Sequence, residues 1–303
     1  MNTVVILMST FNGEKYIHEQ LNSIYNQDFD GDIKLIIRDD GSTDNTINII
    51  ENWSSKIDIE IIKGKNVGVI NSFNELILNA PVASYYAFCD QDDVWESNKL
   101  KLAIESLNKI RTDQKPLLYF SNAKLVDENL IPYNRNLNTT IPDVKLDKIM
   151  VCSPALGCTM VFNESALKLF KSIDIKATPM HDMTMLAICL LMGEVIYDNN
   201  TTILYRQHNN NVIGSSKSIK KRIERAYRLW IKGEGKSVAP FSLELLEKLN
   251  SEITNEDKII LNQFATYRKS LINRIKIVFN NKIYTTNKRA NYSFKLRALI
   301  GVA

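Results

Sequence analysis

Between Tyr85 and Trp95 the chain reads YYAFCDQDDVW. Five uncharged residues, Tyr85 to Cys89, run directly into Asp90, Gln91, Asp92 and Asp93. A short apolar run rich in aromatics is the pattern of a strand buried on both faces. Carboxylates crowded at its end are costly unless a cation or hydrogen-bond donors meet them. In open parallel sheets, ligands collect outside the carboxyl ends of the strands. Two readings follow. One is an Asp-x-Asp site for a hard divalent ion shared with substrate phosphates. The other is an acidic turn in which Asp93 caps a helix running from Trp95 to Ile110.

The preceding chain repeats the same grammar. Apolar runs at Val4 to Met8, Lys34 to Ile37 and Ile57 to Ile62 each end in polar residues. Helical spacing follows in Tyr16, Ile17, Gln20, Leu21 and Ile24, then in Thr46 to Trp53, then in Ile70 to Asn79. Strands alternating with helices predict an α/β fold with a mostly parallel sheet flanked by helices. Further strands are expected at Leu117 to Phe120, at Leu156 to Phe162 with Gly157 at its head, and at Thr202 to Tyr205. The first strand is followed by STFNGEKY, so the glycine fingerprint of a dinucleotide fold is missing, and no P-loop occurs.

Four cysteines (Cys89, Cys152, Cys158 and Cys189) lie in apolar surroundings without paired spacing. They read as reduced core residues of a cytosolic protein. No stretch approaches the length of a membrane span, and the N-terminus lacks the charge and apolar pattern of a signal peptide. Charge is divided unevenly. Up to Ile213 there are 19 Lys and Arg against 27 Asp and Glu, while from Gly214 onward there are 19 against 7. This asymmetry predicts a boundary near Gly214, with residues 1–213 as one domain and 214–303 as a basic appendage for an anionic partner.

Four motifs stand in register: VVILMSTFNGEKYIHEQLNSI, DDGSTD at Asp39 to Asp44, NVG at Asn66 to Gly68, and DQDD at Asp90 to Asp93. Together they resemble family 2 glycosyltransferases of the GT-A fold over roughly the first 210 residues. The DQDDVW wording and the later MHD and YRQHNNNVIG segments look most like bacterial rhamnosyltransferases of cell-surface polysaccharide synthesis.

The resemblance implies a metal-dependent, inverting transfer of a sugar from a nucleoside diphosphate, with dTDP-L-rhamnose the favoured donor. It implies that Thr10, Phe11 and Asn12 cup the nucleobase, and that Asp40 or Asp39 accepts from a pyrimidine N–H. Asn66, Gly68, Asp90 and Gln91 are expected along the nucleotide, although DDGSTD also reads as a capped turn with Asp44 at the next helix. Asp92, with His208, is the expected ligand pair for Mg²⁺ or Mn²⁺. Asp182 is the implied catalytic base, taking the acceptor hydroxyl proton as the new bond forms; it could equally cap the apolar helix that follows. Asp93, Trp95, Gly157, Cys158, His181, Arg206 and Gln207 are expected around the donor sugar or acceptor. Asn209 to Ile213 reads as the continuation of a closing loop. Met183 departs from the Trp often found in such enzymes, which bears on acceptor fit.

Beyond Gly214, Ile219, Ile223, Ala226, Tyr227, Trp230 and Ile231 form one helical stripe among Lys217, Lys220, Lys221, Arg222, Arg225 and Arg228. Arg268 to Lys282 and Lys288 to Arg297 repeat the mixture. A basic amphipathic helical region reads as a membrane-surface element, or as a subdomain packing on protein or forming a homodimer. Such enzymes use lipid-linked glycan acceptors, which implies a cytoplasmic protein peripheral to the inner face of the plasma membrane. No nucleic-acid module accompanies the charge. A non-catalytic scaffold or glycan-binding protein is the contrasting possibility; costly, intact acidic motifs weigh against it.

Overall fold

The computed structural model describes residues 2–110, 114–208 and 237–302. Two compact units emerge. The first comprises residues 1–141, 155–171 and 193–208, and the second comprises 142–154, 172–192 and 209–303. This differs from a single cut after Ile213, because the short segments 142–154 and 172–192 join the C-terminal helices. The boundary at Gly214, the stripe over 217–231 and the segment Asn209 to Ile213 lie outside the described residues.

The first unit is a nine-stranded sheet with helices. Its elements begin β1 (Thr3–Thr10), α1 (Ile17–Tyr25), β2 (Asp32–Asp39), α2 (Thr46–Trp53), β3 (Asp58–Lys63), α3 (Val69–Asn79) and β4 (Tyr85–Asp90). There follow β5 (Val94–Trp95), α4 (Lys99–Asn108), β6 (Leu117–Val126) and β7 (Pro132–Asn136). In the second unit comes α5 (Leu146–Ile149); the first resumes with β8 (Met160–Asn163) and α6 (Glu164–Ser172). Next are α7 (His181–Met192), in the second unit, and β9 (Glu194–Arg206), in the first.

Strand order is β3-β2-β1-β4-β8-β6-β9-β5, with β7 paired to β6. β3, β2, β1 and β4 are parallel, as the repeated strand–helix pattern requires. Beyond β4 the sheet is mixed: β8 is antiparallel to both neighbours and β6 pairs with β9 in parallel. Apolar runs identify strands but carry no sign of their direction. Continuous burial of Val4 to Met8 and Tyr85 to Cys89 matches a sheet covered on both faces.

Two local expectations change. Val94–Trp95 pairs with Ile203 and Leu204 instead of opening a helix, and α4 starts after Asn98. Gly157 to Thr159 form a 3-10 turn, so the strand expected from Leu156 begins only at Met160.

The second unit is helical among the described residues. α8 (Val238–Leu249), α9 (Asn255–Thr266), α10 (Leu271–Val278) and α11 (Lys288–Ile300) complete it. Ser237, Thr254, Ser270 and Asn287 each accept a backbone N–H from the following helix, which fixes four helix starts. Phe241, Leu245, Leu261, Phe264 and Phe294 are buried, and the Phe264 and Phe294 rings lie 6.1 Å apart. No described helix is long and apolar enough to cross a membrane.

Candidate active site

Register places the carboxyl ends of β1, β2 and β4 side by side, with Thr10 opposite Asp39 and Ser9 opposite Asp90. The loops leaving these strands are then tied together by side chains. Gln91 is the central clasp. Its Oε1 accepts from Thr10 Oγ1 at 2.6 Å and from the Phe11 N–H at 2.9 Å, while its Nε2 donates to the Phe11 carbonyl at 3.1 Å. Gly13 makes room for that carboxamide, since a Cβ there would stand 2.3 Å from Gln91 Oε1. Thr10 is therefore buried and engaged, while Phe11 is 43% exposed. Asn12 adopts φ 47° and its Oδ1 accepts from the Thr43 N–H at 2.8 Å.

Asp39 and Asp40 are both buried. Asp39 accepts from the Gly41 and Ser42 N–H groups and from Ser42 Oγ, shaping the DDGSTD turn. Asp40 accepts from the Val67 N–H at 2.7 Å, the Gly68 N–H at 2.9 Å and Arg38 Nη1 at 2.5 Å. The Asp40 carboxylate thus braces the loop that carries Asn66 and Gly68. Gly68 has φ 81° with open space around a would-be Cβ, so backbone conformation selects glycine there. Asn66 is exposed. Helix α2 starts at Thr46 with Asn45 at its N-cap, so Asp44 stands one residue before the cap, its carboxylate accepting from the Thr46 and Glu14 N–H groups. Burial pushes this acid up, and its hydrogen bonds from Thr46 and Glu14 more than offset that, leaving it below the usual range.

The acidic motif divides by depth. Asp90, Gln91 and Asp92 are partly exposed, whereas Asp93 is fully buried. Asp92 Oδ2 lies 2.7 Å from His208 Nε2, joining two residues 116 positions apart. The Tyr16 ring stands 4.9 Å from the His208 ring and 4.5 Å from the Arg206 guanidinium. Arg206 is 1% exposed. Its Nε donates to the Asp92 carbonyl at 2.7 Å, its Nη1 to the Glu128 carbonyl and its Nη2 to Glu19, while its N–H donates to Asp93 Oδ1 at 3.0 Å.

Several residues expected around the donor sugar or acceptor are buried. Asp93, Trp95, Cys158 and Arg206 are at most 3% exposed, because Trp95 and Cys158 belong to the apolar core and Arg206 spends its donors internally. Gly157 is buried in its 3-10 turn. Gln207 is tethered through its N–H to the Val126 carbonyl at 2.9 Å. Burial, with the charges of Asp92 and Asp90, pushes the Asp93 carboxyl well above the usual range. Cys158 contacts it, and burial likewise raises that thiol, so the sulfur stays protonated.

The donor set suits a hard divalent ion. One ligand atom from each of Asp90, Asp93 and Cys158 lies within 4.8 Å of the others. The Asp92 carboxylate and the His208 imidazole, 2.7 Å apart, form a separate oxygen–nitrogen pair of the kind that suits Mg²⁺ or Mn²⁺.

Asp182 and His181 belong to the second unit. The helix begins two residues earlier than an Asp182 cap would require, so Asp182 sits within the first turn of α7, its Oδ1 accepting from the Met183 N–H at 2.6 Å. His181 is buried, which pulls its imidazole down to about 3 and keeps it neutral.

Sequence reading gave no part in the site to Arg38, Lys99, Glu19 or Tyr16. Arg38 and Lys99 are cations inside apolar strand and helix patterns, and that placement was the available signal. Lys99 is fully buried with Nζ 4.7 Å above the Trp95 ring, and burial lowers its amine to about 8.

The family described as Glycosyl transferase family 2 matches residues 5–159. The dTDP-rhamnosyl transferase RfbG of Shigella flexneri is 33% identical over 235 residues, covering 72% of this chain and 77% of that protein. The poly(ribitol-phosphate) beta-N-acetylglucosaminyltransferase TarS of Staphylococcus aureus is 30% identical over 110 residues, 36% of this chain and 19% of that protein. Among solved structures, S. aureus TarS 1–349 in complex with UDP-GlcNAc aligns with TM-score 0.58 at 18% identity, covering 100% of this chain and 89% of that one. A mannosyltransferase from Pyrobaculum calidifontis in complex with GDP-Man and Mn²⁺ aligns with TM-score 0.52 at 16% identity, covering 97% and 87%.

Proposed function

The chain belongs to glycosyl transferase family 2 and has the GT-A fold, and from that premise we propose that it transfers L-rhamnose from dTDP-L-rhamnose to a lipid-linked glycan during cell-surface polysaccharide synthesis. The similarity to a dTDP-rhamnosyl transferase supports the donor. The observation that carries the reading is the meeting of Asp92 and His208 at the edge where the loops after β1, β2 and β4 are clasped together.

Asp92 and His208 would hold Mg²⁺ or Mn²⁺, with Asp90 beside them. The ion supplies charge neutralisation for the departing nucleoside diphosphate. Gln91 fixes the backbone of Phe11, so that loop reaches the nucleotide already ordered and loses less entropy on binding. Asp39 and Asp40 hold the two turns that flank the base, and Gly68 admits close backbone approach. Asp182 takes the proton from the acceptor hydroxyl, and the sugar inverts in one displacement. His181, neutral and buried beside it, shapes the start of α7 without competing as a base. The reaction is placed at the inner face of the cytoplasmic membrane, where a lipid-linked acceptor resides.

The test is transfer from dTDP-, UDP- and GDP-sugars with and without Mn²⁺. Asp182→Asn is expected to lose about 10²–10⁴ in turnover while donor binding, read by thermal shift, stays at the parent level. Turnover at the parent rate in that variant would remove Asp182 from the role of base. Preference for a UDP- or GDP-sugar would overturn the donor.

A further inference from the structure

The basic C-terminal helices turn apolar side chains outward. On α10, Leu271, Ile272 and Ile275, with Phe279 at its end, are all exposed, Phe279 at 75%. At about 100° per residue these four positions fall within one arc of about 100°. On α11, Tyr292, Leu296, Leu299 and Ile300 do the same, Tyr292 at 67% exposure, and span a similar arc. The opposite sides of these helices are the packed ones, through Ile277 on α10 and Phe294 and Ala298 on α11. Apolar side chains are thus left uncovered on two contacting helices.

Charge says what covers it. From Lys258 to Ala303 the sequence holds ten Lys and Arg and no Asp or Glu. Arg268, Lys269, Lys276, Lys282, Lys288 and Arg289 are exposed around the apolar arcs. A recess of about 250 Å³ lined by Gln263, Thr266, Asn273, Lys276, Ile277 and Asn280 adjoins α10, with Lys276 as its charged group. A second copy would set one positive face against another. A nucleic acid offers phosphates but no apolar phase for Phe279 or Ile272. An anionic bilayer offers both, with acyl chains for the apolar arc and headgroups for the lysines.

We propose that α10 and α11 dock the protein on an anionic lipid bilayer, with Phe279, Ile272, Tyr292 and Leu296 entering the interface and the surrounding lysines meeting lipid phosphates. This deepens the membrane-bound acceptor reading and rests on it for its role in the reaction. Its evidence is separate: the exposed side chains and the charge.

Flotation of the full chain with vesicles tests it, with no donor or acceptor present, so its failure is distinct from a failure of the transferase reading. Vesicles of phosphatidylglycerol with phosphatidylcholine are expected to carry the protein upward, and phosphatidylcholine alone to leave it behind. Phe279→Ser with Ile272→Ser, and separately Lys269→Gln with Lys276→Gln and Lys282→Gln, should each weaken partitioning by about tenfold or more. These positions are exposed, so thermal melting should stay at the parent value and soluble-donor hydrolysis should be unchanged. Equal binding to neutral and anionic vesicles, or partitioning indifferent to both variant sets, would overturn the proposal. So would a dimer that the Phe279→Ser change dissolves, or duplex DNA displacing the protein from the vesicles through the same residues.

Discussion

Arg206 donates through Nε to the backbone carbonyl of Asp92 at 2.7 Å, so a fully buried guanidinium sets the direction in which the acidic motif leaves β4. The same side chain binds Glu19 and the Glu128 carbonyl and lies on the Tyr16 ring, which in turn faces His208. Three separate segments therefore meet on one planar cation. Lysine offers no such fork. Arg206→Lys is expected to leave buried carbonyls unpaired and to cost about 2–4 kcal/mol, read by chemical denaturation. Metal affinity, read by Mn²⁺ titration, should weaken alongside. Glu19→Gln should be milder because Glu19 is half exposed. A parent-like midpoint in Arg206→Lys would show that the clasp is not what orders the motif.

Gln91 and Gly13 form a second testable pair. Gly13→Ala puts a Cβ into the space of Gln91 Oε1, and the carboxamide can yield only by giving up its bonds to Thr10 and Phe11. Gln91→Ala gives up the same bonds. Each change should cost about 1–3 kcal/mol and raise the donor KM. The double variant should cost less than the sum, because the second change finds nothing left to break. Strict additivity in denaturant melts would sink the idea of a shared clasp.

Asp92→Asn and His208→Ala address the ion directly. Both are expected to abolish stimulation by Mn²⁺, with activity falling by about two orders of magnitude or more, as loss of charge stabilisation at a leaving group does. Isothermal titration with Mn²⁺ and donor together supplies the second readout. Undiminished Mn²⁺ dependence in Asp92→Asn would place the ion elsewhere.

His181 gives a pH dependence with a defined sign. Its imidazole is held down to about 3 by burial, against 6.5 in the unfolded chain. Between those values the unfolded state binds the proton and the folded state does not, so stability rises with pH there. The contribution is complete above about pH 6.5 and is lost as pH falls toward 3, with a slope of up to about 1.4 kcal/mol per pH unit. His181→Gln should flatten this part of the profile relative to the parent. Parallel profiles for the two proteins would mean that His181 takes up its proton without unfolding.

Much of the architecture was written along the chain. Apolar runs at Val4, Leu35 and Tyr85, each followed by helical spacing, dictate strand, helix and turn, because a covered sheet and an amphipathic helix demand those periods. The order of STFNG, DDGSTD, NVG and DQDD likewise fixed the family and the edge at which polar groups gather. What the chain could not declare is depth and partnership. Asp92 and Asp93 are adjacent letters, yet one faces His208 and the other is sealed beneath it, because the β4 exit turns between them. Trp95 and Arg206 look like pocket residues in one dimension, but tertiary pairing with β9 and with Glu19 draws them inside. The same holds at the C-terminus, where basic and apolar letters alternate without saying which side is covered. Only packing through Ile277 and Phe294 decides that Phe279 and Leu296 are left facing out. Period is a local property of the backbone, whereas burial depends on what arrives from elsewhere in the chain.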